Sequence, residues 1–239
     1  MEVIDLIFVC VIVAGVAVSI FFRKLSRPAA IVGGVVALCL YTGFGAVGIL
    51  LLGTFFVTAS VATKIGAAEK LAIGVAEKND GLRTTGQVLA NGGAAAILGI
   101  AAILAPLHAD SFGVMAAAAL ASATSDTLSS ELGSVYGKKF YNILTFKKDQ
   151  RGADGVVSLQ GSAWGVAGSA IISVLYGVAL GFDVNVLWIF IAGIIGNLAD
   201  SVLGALFERK GLLSNNMVNG FNTIFASLTA LAGLWLTVF

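Results

Sequence analysis

The chain has 239 residues, of which 58% are hydrophobic and only 11% charged, with a formal net charge of +1. A soluble chain of this length carries about 25% charge, so a soluble domain is excluded and nothing in the charge balance points to a nucleic-acid partner. The expected fold is an all-α polytopic membrane bundle, one transmembrane domain over 1–239. At about 20 residues per span it has seven to eight transmembrane segments.

The first apolar run, 3–22, is followed by Arg23, Lys24 and Arg27 and lacks a small-residue cleavage site, so it reads as a retained span. Pro28 suits the first turn of the next helix. Residues 29–63 are apolar throughout. As a single helix they would be about 52 Å long, too long for a hydrocarbon core of about 30 Å. Gly43-Phe44-Gly45 is the expected hairpin, giving spans over 29–43 and 45–63. Cys10 and Cys39 lie in apolar runs without metal-ligand spacing and read as small apolar filler.

Residues 64–86 are polar and mixed in charge. Ala67, Leu71, Ile73, Val75 and Ala76 suggest a helix lying at the interface, broken by Asn79-Asp80-Gly81. Span 4 follows over 87–107, with Gln87 and Asn91 on one face, and a turn at His108 and Asp110 leads into span 5, 111–130. Loop 132–155 holds five bases, and span 6 covers 156–180 with Gly161, Gly165, Ser169 and Ser173 forming a small-residue packing face. Span 7, 185–207, carries Gly193, Gly196, Asn197, Asp200 and Gly204 on one face. After loop 208–216, span 8 runs over 217–239 and opens among Asn215, Asn216, Asn219 and Asn222.

Placing loops 64–86, 132–155 and 208–216 in the cytoplasm, with the one after span 1, puts all 14 Lys and Arg there. Glu2, Asp5, His108, Asp110 and Asp183 then lie outside with no base beside them. This is the positive-inside pattern and sets both termini outside. The protein is expected in the cell membrane if its source is prokaryotic.

Span 5 ends in an anomaly, Ser122 to Gly133, with four Ser, two Thr, Asp126 and Glu131. A carboxylate at the bilayer centre costs about 3 kcal/mol, so such acids are functional candidates. Glu131 lies roughly 140° round a straight helix from Asp126 at about 100° per residue. The two can share a site only if the helix ends near Ser130, with Gly133 as the stop. The alternative reading of these groups is helix-to-helix glue.

The polar groups of spans 4 to 8 all fall near the cytoplasmic face, whereas a transporter pathway carries them through the midplane. A one-sided pocket suits an enzyme acting on a lipid. Clustered Asp and Asn are hard oxygen ligands suited to Mg²⁺, and bases including Arg83, Lys138, Lys139, Lys147, Lys148 and Arg151 can neutralise phosphates. No Walker A motif, zinc cluster or nucleophilic triad is present.

Five motifs, around Gln87 to Gly92, Ser125 to Gly133, Asp154 to Gly161, Asp200 to Ala205 and Asn215 to Asn219, resemble the DUF92 integral membrane family over residues 60–225. That family includes transmembrane protein 19 and plant phytyl-phosphate kinases. One departure is Gly152 to Val156, which lacks the family's second glycine after Asp-Gly. The resemblance implies a kinase that converts an isoprenoid monophosphate to the diphosphate, using CTP or another nucleoside triphosphate with Mg²⁺. Its implied catalytic acids are Asp126, Glu131 and Asp200, with Asp126, Asp200 and Asp154 as metal ligands. Implied substrate or nucleotide contacts are Arg83, Gln87, Asn91, Lys138, Lys139, Arg151, Asp154, Ser158, Asn216 and Asn219. Other lipid-phosphate chemistry, of cytidylyltransferase or phosphatase type, and cation-coupled transport are the alternatives. Homo-oligomerisation is left open.

Overall fold

The computed structural model describes residues 3–75 and 81–238. Its helices are α1 (Val3–Phe21), α2 (Arg27–Lys64), α3 (Ala67–Ala72), α4 (Thr85–Leu104), α5 (Ala109–Tyr136), α6 (Leu159–Leu180), α7 (Val184–Leu203) and α8 (Asn215–Val238). Six helical stretches among the described residues are long and apolar enough to cross a membrane. Helix α5 is not one of them, because its last third is too polar, yet it is the most enclosed helix of the bundle. Helices α2, α4, α8, α7 and α6 surround it.

Helix α2 is the expected hairpin. Gly45 breaks it with φ 62° and ψ −145°, a conformation that costs a residue with a Cβ dearly. Beyond the break the chain folds back, so that a Cβ on Gly48 would lie 2.5 Å from the Leu40 carbonyl oxygen. Phe56 of the second arm packs against the Leu25, Ala29 and Ala30 cluster at the start of the first. Gly43 serves a different end: a Cβ there would lie 2.7 Å from Gly99 Cα on α4. Each arm is about 27 Å long at about 1.5 Å per residue, so the two arms and α5 bring the traversing segments to the eight expected.

Three expectations are corrected. Helix α5 does not stop near Ser130 but continues to Tyr136. Gly133 is there for close approach, since a Cβ on it would lie 2.7 Å from Gly161 Cα on α6. Segment 67–76 is helical only over Ala67–Ala72, and it turns its cation inward: Lys70 is 2% exposed while Leu71 is exposed. Ala76 and the Asn79-Asp80 break lie outside the described residues.

The bundle thus has a basic end, where α2, α5 and α7 finish and α4, α6 and α8 begin, and an opposite end around Pro106–His108 and Gly181–Asp183. At the basic end the loop after α5 forms a small antiparallel pairing, β1 (Tyr141–Asn142) with β2 (Val156–Val157). Asn142 shapes it by accepting from the Leu144 and Thr145 backbone N–H groups at 3.0 and 3.1 Å. The small-residue face of α6 packs where the sequence places it, with Gly165 against Ser125 and Ser129 and Ser169 Oγ donating to the Phe190 carbonyl at 2.7 Å.

Candidate functional site

A cavity of about 700 Å³ opens at the basic end between α4, α5, α6, α7 and α8. Its walls come from helix segments of two kinds. The C-terminal third of α5, short of its end at Tyr136, supplies Asp126 and Glu131, and the last turn of α7 supplies Asp200. The starts of α4, α6 and α8 supply Thr84, Ser158 and Asn215. Carboxylates favour a cation and helix N-termini favour anions, so the cavity has faces of opposite polarity.

The N-terminal ends are well defined. Thr84 and Gln87 make a reciprocal capping box on α4, with the Gln87 amide oxygen accepting from Thr84 N at 2.8 Å. Ser158 Oγ accepts from Gly161 N at 3.1 Å at the start of α6. Gln87 and Ser158 line the cavity, but each has a helix-capping role there.

Asp126 and Asp200 face each other closely enough to share a hydrogen bond. Two carboxylates in contact repel unless a proton or cation sits between them. Asn222 Nδ2 donates to Asp200 Oδ1 at 2.8 Å. Asn219, with its amide nitrogen toward α7, donates to the same oxygen at 3.2 Å. Asn91 is 8% exposed, and its Nδ2 donates to the Gln87 carbonyl at 2.9 Å, so its oxygen is the atom left without a partner.

Beyond Asp200 the chain adds one π-type turn, Gly204–Glu208, closed by Arg209 N donating to the Gly204 carbonyl at 3.0 Å. Such turns recur at functional sites. It sets Glu208 on the cavity wall beside Asn215. The Asp154 loop packs against it. Gly155 has φ 71°, and a Cβ there would lie 2.6 Å from Ala205 Cα. The loop therefore needs this glycine even without the second one of the family pattern.

Of the residues singled out in the sequence, Arg83, Gln87, Asn91, Asp126, Glu131, Asp154, Ser158, Asp200, Asn216 and Asn219 line this one cavity. Lys138, Lys139 and Arg151 do not. The two lysines are exposed on the loop after α5. Arg151 pairs with Glu69 at 3.1 Å and lies over the Phe140 ring. Glu131 reaches the cavity wall without any break in α5, but its carboxylate braces the fold. It accepts from Thr63 Oγ1 at 3.1 Å and from Lys70 Nζ. Lys70 also donates to the Ala62 and Thr63 carbonyls at 3.1 and 2.9 Å, closing the end of α2.

No group of three or more Asp, Glu, His or Cys that could hold a metal occurs among the described residues. The ligand set Asp126, Asp154 and Asp200 therefore does not gather as one cluster. Asp154 stands instead on the loop packed against Gly204, one turn beyond Asp200. The Asp126–Asp200 pair alone still fits Mg²⁺, which takes one or two carboxylates and completes its shell with water and phosphate oxygens.

Asn222 and Lys70 carry more of the site than the sequence reading assigns to them. Asn222 was visible as one more asparagine on the face of Asn215 and Asn219. Lys70, a single base in a loop rich in charge, gave no such sign.

A family model described as integral membrane protein DUF92 matches residues 9–227. An uncharacterized membrane protein of Methanocaldococcus jannaschii is 37% identical over 181 residues, 75% of this chain and 73% of its own length. One from Synechocystis is 32% identical over 200 residues, 82% of this chain and 78% of its own. Protein VTE6, chloroplastic, of Arabidopsis thaliana is 33% identical over 199 residues, 80% of this chain, which spans 60% of that protein's length. No solved structure matches. The motifs, the helical membrane architecture and the match over nearly the whole chain agree: this protein belongs to the DUF92 family of integral membrane proteins.

Proposed function

We propose that the protein is a membrane kinase that phosphorylates an isoprenoid monophosphate to the diphosphate, with CTP or another nucleoside triphosphate as donor. The observation that carries this reading is the polarity of the cavity. Carboxylates from the C-terminal third of α5 and the last turn of α7 share the cavity with the starts of α4, α6 and α8. That arrangement complements a metal–phosphate complex, with cation and anions each on the matching face. The prenyl-phosphate lipid would reach it from the membrane, its chain lying along apolar helix surfaces.

Asp126 and Asp200 would hold Mg²⁺, which neutralises charge on the donor phosphates when bound. Arg83, fixed by backbone bonds to the segment after α1, is the base on the cavity wall and would draw in phosphate oxygens. The amides of Asn215 and Asn216 at the start of α8 would add donors. An oxygen of the lipid phosphate forms a bond to the γ-phosphorus while the bond from that phosphorus to the bridging oxygen breaks, and the nucleoside diphosphate leaves. The acceptor is already an anion, so no strong general base is needed. Positioning and electrostatics suffice for this chemistry. The described Lys and Arg lie at this end, in loops or on helix ends and the short α3, which supports a cavity open to the cytoplasm.

The test is incubation of purified protein with Mg²⁺, CTP or ATP and a panel of prenyl monophosphates differing in length. Lipid diphosphate and an equal amount of nucleoside diphosphate are the expected products. Release of inorganic phosphate from the lipid instead would support a phosphatase and overturn the kinase reading.

A further inference from the structure

Behind the acid pair lies a chain of hydrogen bonds with a fixed direction. Ser122 on α5 sits one turn deeper than Asp126 and is fully buried. Its Oγ donates to Asn222 Oδ1 on α8 at 3.0 Å. Asn222, also fully buried, donates from Nδ2 to Asp200 Oδ1 on α7 at 2.8 Å. An ionised Asp200 can only accept, so it draws the Asn222 NH₂ toward α7 and leaves the amide oxygen toward α5, where the Ser122 hydroxyl donates to it. Asp200 Oδ1 thus meets a donor, and Asn219 adds a second one at 3.2 Å. Both donors go to Oδ1, which leaves Oδ2 for a cation.

Asn222 does not line the cavity, so it cannot touch a nucleotide or lipid held there. It joins α8 to both helices that carry the acids. Resting on the kinase reading for its use, we infer that Asn222 is a positioning residue for the metal, acting through Asp200. It turns one carboxylate oxygen to α8 and presents the other to the cation, and Ser122 anchors the oxygen end of its amide. Partners behind a ligand govern metal affinity about as strongly as some ligands do, with losses of about 10- to 100-fold on mutation.

The experiment measures Mn²⁺ alone, by electron paramagnetic resonance on the full chain in detergent, without nucleotide or lipid. Asn222→Leu, close in volume but with no donor, is expected to weaken Mn²⁺ binding about tenfold or more. Ser122→Ala is expected to weaken it by a smaller factor, because the Asn222 amide loses the partner that anchors its buried oxygen. Thr223→Val removes a neighbouring buried hydroxyl that bonds only to the Ala90 and Gly220 carbonyls, and should leave Mn²⁺ affinity unchanged. A structural role predicts equal Mn²⁺ affinity in all four proteins, and that result overturns the inference. So does a wild-type protein that binds no Mn²⁺. If Asn222→Leu does not fold, Ser122→Ala decides: wild-type affinity at unchanged thermal stability rejects the idea. The kinase reading fails separately. Mn²⁺ binding that depends on Asn222 in a protein that makes no lipid diphosphate sinks the reaction and keeps the site. Turnover with Mn²⁺ affinity indifferent to Asn222 does the opposite.

Discussion

One end of α5, from Asp126 to Ser134, faces a cavity of about 700 Å³ rimmed by acids and asparagines. The other end, from Ala109 to Leu120, faces a groove of about 280 Å³ lined by residues such as Leu40, Phe44, Val47 and Leu51, with Asp110 and Tyr176 as its polar members. Helices α5 and α6 contribute to both. Both ends also offer helix termini, so dipoles alone do not make a site. At the opposite end Asp183 caps α7, accepting from Asn185 N at 2.9 Å, and nothing draws acids from two helices together. The difference lies in carboxylates held against each other by donors from a third helix.

The largest effect is expected where that difference is greatest. Asp126→Asn keeps shape and removes charge. Turnover should fall about 10²-fold or more, since electrostatic groups of this kind supply most of the stabilisation in phosphoryl transfer. The fold should survive, because an amide is easier to bury than a carboxylate. Asp110→Asn at the opposite end should leave turnover unchanged. Assays of the two variants at saturating Mg²⁺ and nucleotide check the contrast, and near wild-type turnover of Asp126→Asn removes the cavity from the chemistry.

Next comes the brace beneath the cavity. Lys70 is 2% exposed and Glu131 12%, so removing one partner leaves a charge with little water to compensate it. Lys70→Met should destabilise by about 3–5 kcal/mol, while the double variant with Glu131→Leu should recover most of that. Thermal unfolding of both single variants and the double one, in a mutant cycle, measures the coupling. Additive losses would show that the pair does not act as a unit.

The brace also marks the limit of what the sequence makes legible. Segregated bases, apolar runs and the glycine pair at Gly43 and Gly45 were enough for the helices, the hairpin and the end at which acids and asparagines meet. Spacing on one helix could not tell which neighbour each group meets. Glu131 was read as needing a broken helix to join Asp126, whereas the cavity is wide enough for both and a cation from α3 claims Glu131. Lys138 and Lys139 were grouped with the phosphate-binding bases because of charge, but the loop after α5 folds so that they stay in solvent. Those outcomes depend on contacts between segments far apart in the chain, which periodicity does not encode.

A smaller effect compares two glycines on α5. A Cβ on Gly133, at the cavity end, would lie 2.7 Å from Gly161 Cα, backbone against backbone. Gly133→Ala should therefore force α5 and α6 apart and cost about 1–3 kcal/mol. On Gly113, at the groove end, the Cβ would meet only the Phe44 ring at 3.6 Å, an ordinary contact. Gly113→Ala should be neutral or stabilise by up to about 1 kcal/mol through helix propensity. Unfolding temperatures of opposite sign relative to wild type are the expected result. Equal shifts would mean that packing is alike at both ends.

The smallest effect depends on pH. At the basic end Arg209 donates to Asp149 Oδ2 at 2.7 Å, and the Gln150 backbone N–H donates to Oδ1 at 2.8 Å. The Arg209 guanidinium first, and the Gln150 N–H second, hold the Asp149 carboxyl below its ordinary value. A carboxyl lowered on folding contributes stability that is fully present above its unfolded value, about 3.9, and is lost as pH falls through the folded one. Asp149→Asn should thus lower the unfolding temperature slightly at about pH 7, and the gap from wild type should narrow as pH falls below about 3.9. The pair is open to water, so salt should shrink the gap as well. Unfolding curves of the variant against wild type, at neutral and acid pH and at low and high salt, read this directly. A gap for Asp149→Asn that persists undiminished into acid would show that the side chain acts there by shape, through Asn142, and not by charge.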